Sequence, residues 1–574
     1  MNPKSLSARI RCLGRALLFA AVLHPAIADP ISSPLIEMAH SVNHANEQSP
    51  DATGHRVLVL DDGFESFVLR VHLVRSAKTT IDLQTFIWAD EETSRYFENE
   101  LIAAAKRGVK IRLLVDHMWS TKNQDRLAWN LEHLDDIEIK LYRPMAKRLK
   151  PSFPRKIVNM LTPNNTNQRM HTKVMLIDGV VGITGGRNIG NNYFDYSTKY
   201  NFKDRDILVA GPSVGDMAAS FDRYWEFKHS HSTEDLLDIA RSLRNGTLSP
   251  TKTDDDFDVP YFQLLSRLSD DADYIKGAFV TPTLAANDVQ FVADKPGRKT
   301  WSYYLSPHGG GAMDAAMREY FLDADELVLI QSPYVILNRR TRRMMRKAKK
   351  RAPDLQVKVS TNSFGSVDHL ETYSANYRLR TKVIRGLGFE IFEYKPNPED
   401  LSIYLANFDA LKARAKKEGS GRSPYLSIHG KTFVFDNHTA YVGTYNLDPR
   451  SFYINSECGV FVRDPKFVAD ISQRLLRDMA PENSWVIARK KFPLSELNVA
   501  IEGLSSLLPV DLWPVRYTSG FELKDGDEPV PTDHPEFYDR YRDLGSFPGS
   551  NGLSLELLLL EVYKGIGKAA TPIL

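Results

Sequence analysis

Two stretches of the chain share a pattern of residues suited to chemistry at phosphorus. The first begins at His171 and reads His-Thr-Lys-Val-Met-Leu-Ile-Asp, and the second begins at His429 and reads His-Gly-Lys-Thr-Phe-Val-Phe-Asp. Both fit His-x-Lys-x-x-x-x-Asp. Side chains alternate faces along a strand, so the His and Lys of each stretch would point to the same side of a sheet. An imidazole can attack phosphorus or carry a proton near neutral pH, and an ammonium can hold phosphate oxygens.

Each stretch is followed by a glycine-containing turn that ends in Asn. His171 lies seventeen residues before Asn188, and His429 lies seventeen residues before Asn446. A single His-x-Lys on a strand is most often an ordinary solvated surface, but the whole pattern occurring twice indicates a duplicated half-site. The candidate site residues are therefore His171, Lys173, Asp178 and Asn188 in the first half, and His429, Lys431, Asp436 and Asn446 in the second.

The elements around the two stretches alternate between strand and helix patterns, which predicts an α/β fold with parallel strands and crossover helices. The order repeats after about 250 residues, so the chain is expected to contain two copies of one domain that face each other. In the first copy we predict strands at 80–88, 109–115, 137–142, 171–177, 180–184 and 206–210, with helices at 94–107, 127–134 and 213–227. In the second copy we predict strands at 327–331, 355–360, 388–394, 429–435 and 458–462, with a helix at 339–350.

These residues resemble the phospholipase D superfamily, whose members carry two His-x-Lys-x-x-x-x-Asp motifs in one chain or one in each half of a dimer. The segments 81–88, 185–190 and 201–206 add to the likeness, which covers residues 55–485. Within the superfamily the chain is most similar to bacterial cardiolipin synthases that lack transmembrane helices at the N-terminus. The resemblance implies two pseudo-symmetric phospholipase D-type domains, each with a mixed, mostly parallel sheet flanked by helices.

The resemblance also implies a phosphatidyltransferase that works through a phospho-histidine, with His171 as the nucleophile and His429 as the acid and base. The residues alone leave the two roles interchangeable. Lys173, Lys431 and the two asparagines would hold the non-bridging oxygens, so no cofactor and no metal are expected. The family pattern includes Asp178 and Asp436 in the catalytic set, whereas strand parity turns them away from the histidines and favours a structural role.

A histidine nucleophile also needs an acceptor on its second ring nitrogen, which sets the tautomer. Asp204 lies seven residues before Gly211-Pro212, and Glu457 lies seven residues before Asp464-Pro465. The two carboxylates therefore occupy matching positions in the repeat and are the candidates for orienting the histidines. The alternative is that they are ordinary surface carboxylates.

Composition narrows the function further. The net charge of a 574-residue chain is only +2, so a nucleic-acid partner is not indicated. We expect phospholipid substrates at a membrane surface, and a monomer would contain both half-sites. The alternatives are a phospholipase D that hydrolyses phospholipids, a secreted nuclease or phosphodiesterase, and a non-catalytic binding module. The two cysteines, Cys12 and Cys458, give no disulfide framework.

The outer parts of the chain are expected to serve export and packing. Residues 1–28 have a basic start, a short apolar run and a small-residue end, as in a secretory signal peptide, and predict export to the periplasm with peripheral membrane association. A retained interfacial anchor is the alternative. Residues 29–55 are expected to be irregular, and the basic stretch 145–156 could line an entrance for an anionic lipid or be a solvated loop. The remaining divisions are a first half at 55–245, a linker at 246–275, a second half at 276–485 and an extension at 486–574, in which 553–560 is a helix of the core or of a membrane surface.

Overall fold

A computed structural model of the protein describes residues 29–48, 54–117, 136–144, 147–148, 168–245, 256–297, 310–491 and 517–549. Four of the sequence predictions lie wholly or mostly outside these residues. They are the signal peptide at 1–28, the helix at 127–134, the basic stretch at 145–156 and the apolar segment at 553–560. No helix in the described part of the chain is long and apolar enough to cross a membrane.

The first half is built on a nine-stranded sheet in the order β10-β1-β8-β6-β5-β2-β3-β4-β9. The sheet is mixed, as expected, with parallel pairing confined to β2, β3 and β4. The other pairings are antiparallel, so antiparallel pairs are the majority. The strands of the first half, including the short β7 outside this sheet, are β1 His55–Leu60, β2 Thr80–Thr85, β3 Lys110–Asp116, β4 Ile137–Tyr142, β5 Val174–Ile177, β6 Val181–Gly185, β7 Tyr200–Lys203, β8 Asp206–Ala210, β9 Ser230–Ser232 and β10 Leu284–Ala286.

The second half repeats this plan in a ten-stranded sheet with the order β11-β18-β17-β16-β12-β13-β14-β19-β20-β21. Here β12, β13 and β14 form the parallel run. The strands are β11 Val289–Ala293, β12 Leu327–Gln331, β13 Gln356–Asn362, β14 Phe389–Tyr394, β15 Tyr425–Ile428, β16 Thr432–Phe435, β17 Thr439–Gly443, β18 Cys458–Val462, β19 Ser484–Arg489, β20 Thr518–Leu523 and β21 Tyr541–Gly545.

Helices cover the sheets and separate the parallel strands. Gly108, at a φ of 91°, follows α3 and ends it where the sequence predicted a stop. The helices are α1 Pro34–Gln48, α2 Gly63–Ser76, α3 Glu92–Lys106, α4 Ser213–Trp225, α5 Leu237–Asn245, α6 Pro260–Asp270, α7 Ala272–Ile275, α8 Ala312–Asp323, α9 Arg339–Arg351, α10 Leu370–Leu387, α11 Leu401–Tyr404, α12 Phe408–Lys417, α13 Pro449–Tyr453, α14 Pro465–Met479 and α15 Phe537–Arg540.

One hydrophobic core is shared by the two halves. Leu176 and Val209 of the first sheet belong to the same buried cluster as Val434 and Val460 of the second. The equivalent helices α4 and α14 contribute to this cluster as well. The expected arrangement of two α/β halves that face each other is therefore confirmed, and the shared core fixes how the halves are docked.

Two segments predicted to be irregular are packed helices. In residues 29–55, α1 buries Leu35, Ile36 and Ala39 against the first half, and the Ser33 hydroxyl accepts a hydrogen bond from the Ile36 N–H near its start. In the predicted linker, α6 and α7 bury apolar side chains in the core of the first half. These expectations were wrong because a few apolar residues at helical spacing lie within a mostly polar segment. The first half also continues to β10, past the predicted boundary at 276.

The predicted extension also begins as part of the second half. β20 pairs with β19, and β21 pairs with β20, so residues 518–545 lengthen the second sheet. Phe521 and Phe537 are buried in a small cluster beside these strands.

The predicted motif strands are shorter than expected. β5 begins at Val174 and β16 begins at Thr432, so the His and Lys of each motif lie in the segment just before a strand. These segments leave their own sheet and meet the opposite half. Met170 forms a bridge with Ser456, and β7 pairs in parallel with β15, so backbone contacts join the halves directly before each motif histidine.

Candidate active site

The first motif histidine is held by the second half of the chain. The His171 N–H donates to the Ser456 carbonyl at 3.0 Å, and Nδ1 of His171 lies 2.7 Å from Oε2 of Glu457. The His171 side chain is only 7% exposed. The edge of the His171 ring contacts the ring of Phe86, with centroids 5.0 Å apart.

The second motif histidine is held by the first half. The His429 N–H donates to the Lys203 carbonyl at 2.9 Å, and Nδ1 of His429 lies 2.5 Å from Oδ2 of Asp204. The ring of Phe202 lies 4.5 Å from the ring of His429, centroid to centroid. The predicted carboxylates are thus both at the site, and each one contacts the histidine of the opposite half.

The crossed pairing determines which ring nitrogen is available for chemistry. In a neutral imidazole beside a carboxylate, Nδ1–H donates to the carboxylate and Nε2 keeps its lone pair. Both histidines have this arrangement, so both present Nε2 to a ligand. The same carboxylates stabilise an imidazolium when either histidine takes up a proton.

Different neighbours hold the two carboxylates. Glu457 accepts hydrogen bonds from the hydroxyls of Thr444 at 2.5 Å and Ser451 at 2.8 Å. Asp204 accepts from the backbone N–H of Arg205 at 2.9 Å. A Cβ at Gly186, the counterpart of Thr444 in the repeat, would lie 1.9 Å from Oδ1 of Asp204. Gly186 therefore provides the space that the shorter Asp204 side chain occupies.

The two motif lysines lie close enough to influence each other. Nζ of Lys173 donates to the His171 carbonyl at 2.9 Å, and Nζ of Lys431 donates to the carbonyl of His429. Both side chains are buried. Burial, together with the charge of Lys431, lowers the pKa of Lys173 to about 7, and burial lowers the pKa of Lys431. An anionic ligand between the lysines would raise both pKa values again, because its negative charge stabilises the two ammonium groups.

Burial also lowers the pKa of both histidines, that of His171 to about 4. At neutral pH the lone pair on Nε2 of His171 is therefore free. Burial raises the pKa of Asp204 and of Glu457, but the paired histidine and the lysines outweigh it, so both pKa values are lowered. The site therefore contains two carboxylates that stay ionised, two imidazoles and two lysines with lowered pKa values, of which Lys173 titrates near pH 7.

We expect anion binding at this site to weaken as the pH rises. Lys173 is charged below its pKa of about 7 in the free protein, and a bound anion raises that pKa, so affinity is greatest below pH 7 and falls above it. The dissociation constant of sulfate, whose charge is constant in this range, should rise by up to about tenfold per pH unit above pH 7. Isothermal titration calorimetry of sulfate binding from pH 6 to 9 tests this without depending on turnover.

The matched control is Lys173→Arg, because an arginine stays charged throughout this range. Its profile should be flat between pH 7 and 9. If the dissociation constant of sulfate for the wild-type protein does not change with pH, Lys173 is not the titrating group.

The two asparagines differ in their contacts. Oδ1 of Asn188 accepts from the Ile87 N–H at 3.0 Å, and its Nδ2 donates to the Tyr193 hydroxyl at 2.8 Å. Oδ1 of Asn446 is buried without a hydrogen-bond partner among the described residues. The side chain of Asn188 is thus engaged in its own half, whereas Asn446 has an unused acceptor.

The motif aspartates lie at the far ends of the motif strands. Asp178 accepts hydrogen bonds from the backbone N–H groups of Lys78, Thr79 and Thr80 at 2.8–2.9 Å. Asp436 accepts from the backbone N–H groups at 325, 326 and 327 at 2.7–2.9 Å. Both aspartates have a φ of 51°, and each occupies the first central position of a tight turn. Their carboxylates anchor the turn to the start of the neighbouring strand. The strand-parity argument does not apply, because each motif histidine lies before its strand and each motif aspartate lies in the turn after it.

We expect Asp178→Ala to lower the free energy of unfolding by about 2 kcal/mol, because three backbone donors lose their acceptor and Ala is less favourable at positive φ. Asp178→Asn, which keeps one acceptor oxygen and tolerates positive φ, should cost less. Turnover per folded molecule should change little in either variant. Urea denaturation, followed by assays of the folded fraction, tests this. Loss of turnover in a stable Asp178→Asn protein would instead place the carboxylate in the chemistry.

Sequence reasoning missed a second pair of matching residues. Oδ2 of Asp116 accepts from the Met170 N–H at 3.0 Å, and Oδ1 of Asn362 accepts from the Ile428 N–H at 2.7 Å. Each therefore holds the residue immediately before a motif histidine. The signal was present: both residues end strands that the repeat identified as counterparts, where polar side chains commonly reach a site.

No group of residues with metal-ligand spacing occurs in the described part of the chain. Cys458 is buried, and burial raises the pKa of its thiol to about 11, so it is a poor nucleophile at neutral pH.

The fold and the duplicated site define a phospholipase D-like protein with both half-sites in one chain. Residues 71–225 and 317–479 match the family described as "Cardiolipin synthase, PLD-like domain". These ranges cover more than half of the chain, and the protein belongs to this family. The recognition made from the sequence is thereby confirmed.

The chain is also similar to individual proteins and to a solved structure. The chain is 28% identical over 501 residues to "Cardiolipin synthase C" of Escherichia coli K12, covering 83% of this chain and 99% of that protein. It is 30% identical over 432 residues to an uncharacterised protein of Helicobacter pylori J99, covering 75% of this chain and 80% of that one. The structure of phosphatidylserine synthase from Haemophilus influenzae Rd KW20 aligns with a TM-score of 0.46 and 13% identity, over 76% of this chain and 90% of that one.

Proposed function

We propose that this protein is a phosphatidyltransferase that moves a phosphatidyl group from one phospholipid to a hydroxyl of another, as in cardiolipin synthesis. The observation that carries the proposal is the crossed pairing of His171 with Glu457 and of His429 with Asp204 around two buried lysines. Membership of the family and the named relatives support the lipid substrate.

In the first step, Nε2 of His171 attacks the phosphorus of the donor lipid, and the bond from phosphorus to the headgroup oxygen breaks. His429 enters this step as an imidazolium that Asp204 stabilises, and the proton on its Nε2 passes to the departing alcohol. The lowered pKa of His429 makes its protonated form a stronger acid. Lys173 and Lys431 neutralise the non-bridging oxygens, which remain charged throughout. The product is a phosphatidyl group bound to nitrogen of His171.

In the second step, the acceptor alcohol gives its proton to His429 and attacks the phosphorus, and the bond between nitrogen and phosphorus breaks. This step restores both histidines. Water in place of the alcohol would give phosphatidic acid, so hydrolysis differs from transfer only here.

The test is to incubate the purified protein with phosphatidylglycerol, phosphatidylethanolamine and single-stranded DNA in parallel. Cardiolipin with release of the headgroup alcohol supports transfer, and phosphatidic acid alone identifies a hydrolase. Cleavage of DNA without lipid turnover would identify the nuclease alternative, against which the low net charge argues.

We also propose that the protein works in the periplasm at the membrane surface, on the basis of the signal-like residues 1–28. Cell fractionation with a C-terminal tag, together with N-terminal sequencing of the mature protein, tests this. Recovery of the full chain from the cytosol would contradict it.

A further inference from the structure

Helix α9 has an unusual concentration of positive charge. Nine of its 13 residues are Lys or Arg and none is acidic, in a chain whose net charge is +2. The catalytic scheme uses none of these residues. The side chain of Asn338 caps the helix by accepting hydrogen bonds from the N–H groups of Arg340 and Thr341, and this cap fixes where the helix begins.

Five of the cations lie on one exposed side of α9. They are spaced as i, i+4, i+7, i+8 and i+11, which places them within about 100° of the helix surface. Thr341, Met345 and Ala348, on the opposite side, are buried against the second half. None of the five forms an ion pair with a described residue. We call this set the cationic face; it consists of Arg339, Arg343, Arg346, Lys347 and Lys350.

The charges of the cationic face destabilise helix α9 in the isolated protein. Like charges three or four residues apart on a helix repel each other, and cations in the first turn oppose the helix dipole. Burial and the nearby Arg346 and Arg339 lower the pKa of Arg342, which shows the same repulsion. A polyanion bound outside the helix would relieve it.

The N-terminal end of α9 lies next to the site. Val335, four residues before the helix, forms a bridge with Leu447, and the Ile336 N–H donates to the Leu447 carbonyl at 2.9 Å. Leu447 directly follows the site residue Asn446. With a rise of about 1.5 Å per residue, the cationic face extends roughly 17 Å from this edge.

We infer that the cationic face docks the protein onto a bilayer surface rich in anionic phospholipid. An extended row of unpaired cations fits a plane of phosphate headgroups better than a single ligand, and each basic residue at such a surface strengthens binding. The choice of lipid over another polyanion rests on the proposed function.

The test is sedimentation of the full-length protein with vesicles of phosphatidylglycerol and phosphatidylcholine, compared with phosphatidylcholine alone. Wild-type protein should bind the anionic vesicles, and binding should weaken from 0.1 M to 0.5 M salt. The triple variant Arg343→Gln, Arg346→Gln, Lys347→Gln should bind them about 100-fold more weakly.

The matched control removes the same charge from another exposed helix, α12, through Lys412→Gln, Lys416→Gln and Lys417→Gln. Its affinity for vesicles should stay within about threefold of wild type. Because the cationic face is self-repelling, the thermal midpoint of the α9 variant should equal or exceed that of wild type. A lower midpoint with loss of binding would assign the residues a structural role and overturn the inference.

Turnover separates this inference from the proposed function. On a dispersed short-chain phospholipid, the α9 variant should match wild type, whereas on anionic vesicles it should be much slower. If the wild-type protein were inactive on every lipid, the proposed function would be refuted. Vesicle binding would still test the inference, because sedimentation does not depend on turnover. Binding of the same proteins to single-stranded DNA is measured in parallel. The inference would be overturned if the α9 variant kept its vesicle binding, whether or not it lost DNA binding. It would also be overturned if both variants lost vesicle binding equally.

Discussion

Replacing either His171 or His429 by Ala is expected to lower turnover of a phospholipid by roughly 10⁴-fold or more. The cycle needs a nucleophile and a proton carrier, and each histidine is held by its own carboxylate and cannot do the work of the other. Headgroup release measured by mass spectrometry provides the assay.

His438→Ala is the matched control, since His438 is exposed on the turn after the second motif. It should retain full activity. Wild-type turnover in either His171→Ala or His429→Ala would refute the two-histidine scheme.

Removing His429 is expected to trap the covalent intermediate on His171. Without the acid the first step is slow on a natural lipid, but an activated phosphodiester with a good leaving group needs little protonation. The adduct should then persist, because no base activates the second alcohol. His429→Asn suits this experiment, because its amide can donate to Asp204, which would otherwise be a buried carboxylate without its partner.

Mass spectrometry of the labelled protein locates the adduct. In the His429 variant we expect the phosphoester group of the activated substrate on His171, and in the His171 variant we expect no adduct on His429. An adduct on His429 of the His171 variant, with none on His171 of the other, would reverse the two roles.

Most of the central fold could be predicted from the sequence because buried strands carry continuous apolar runs bounded by clear turns. The strands Ile137–Tyr142, Asp206–Ala210, Leu327–Gln331 and Cys458–Val462 have the bounds that were predicted. The duplication made each assignment stronger, because a pattern in one half could be compared with its counterpart in the other.

The sequence identified most residues of the site, but not the contacts between them. Asp204 and Glu457 were candidates by position, yet which histidine each would contact depends on how the halves dock, and 225 and 286 residues separate the partners along the chain. The late starts of the two motif strands have the same cause, because His171 and His429 bond to backbone of the opposite half. Asp116 and Asn362 were missed because the repeat places them at the ends of counterpart strands, but only the folded structure shows that each one binds the residue before a motif histidine.

The crossed pairing has a consequence for the time at which the protein becomes active. During synthesis, a first half that has folded alone has His171 without Glu457 and Asp204 without His429. Such a nascent chain lacks an oriented nucleophile and a proton carrier, so it cannot attack lipids while the rest is being made. Because both pairs form only when the halves dock, one assembly event switches on both chemical steps together.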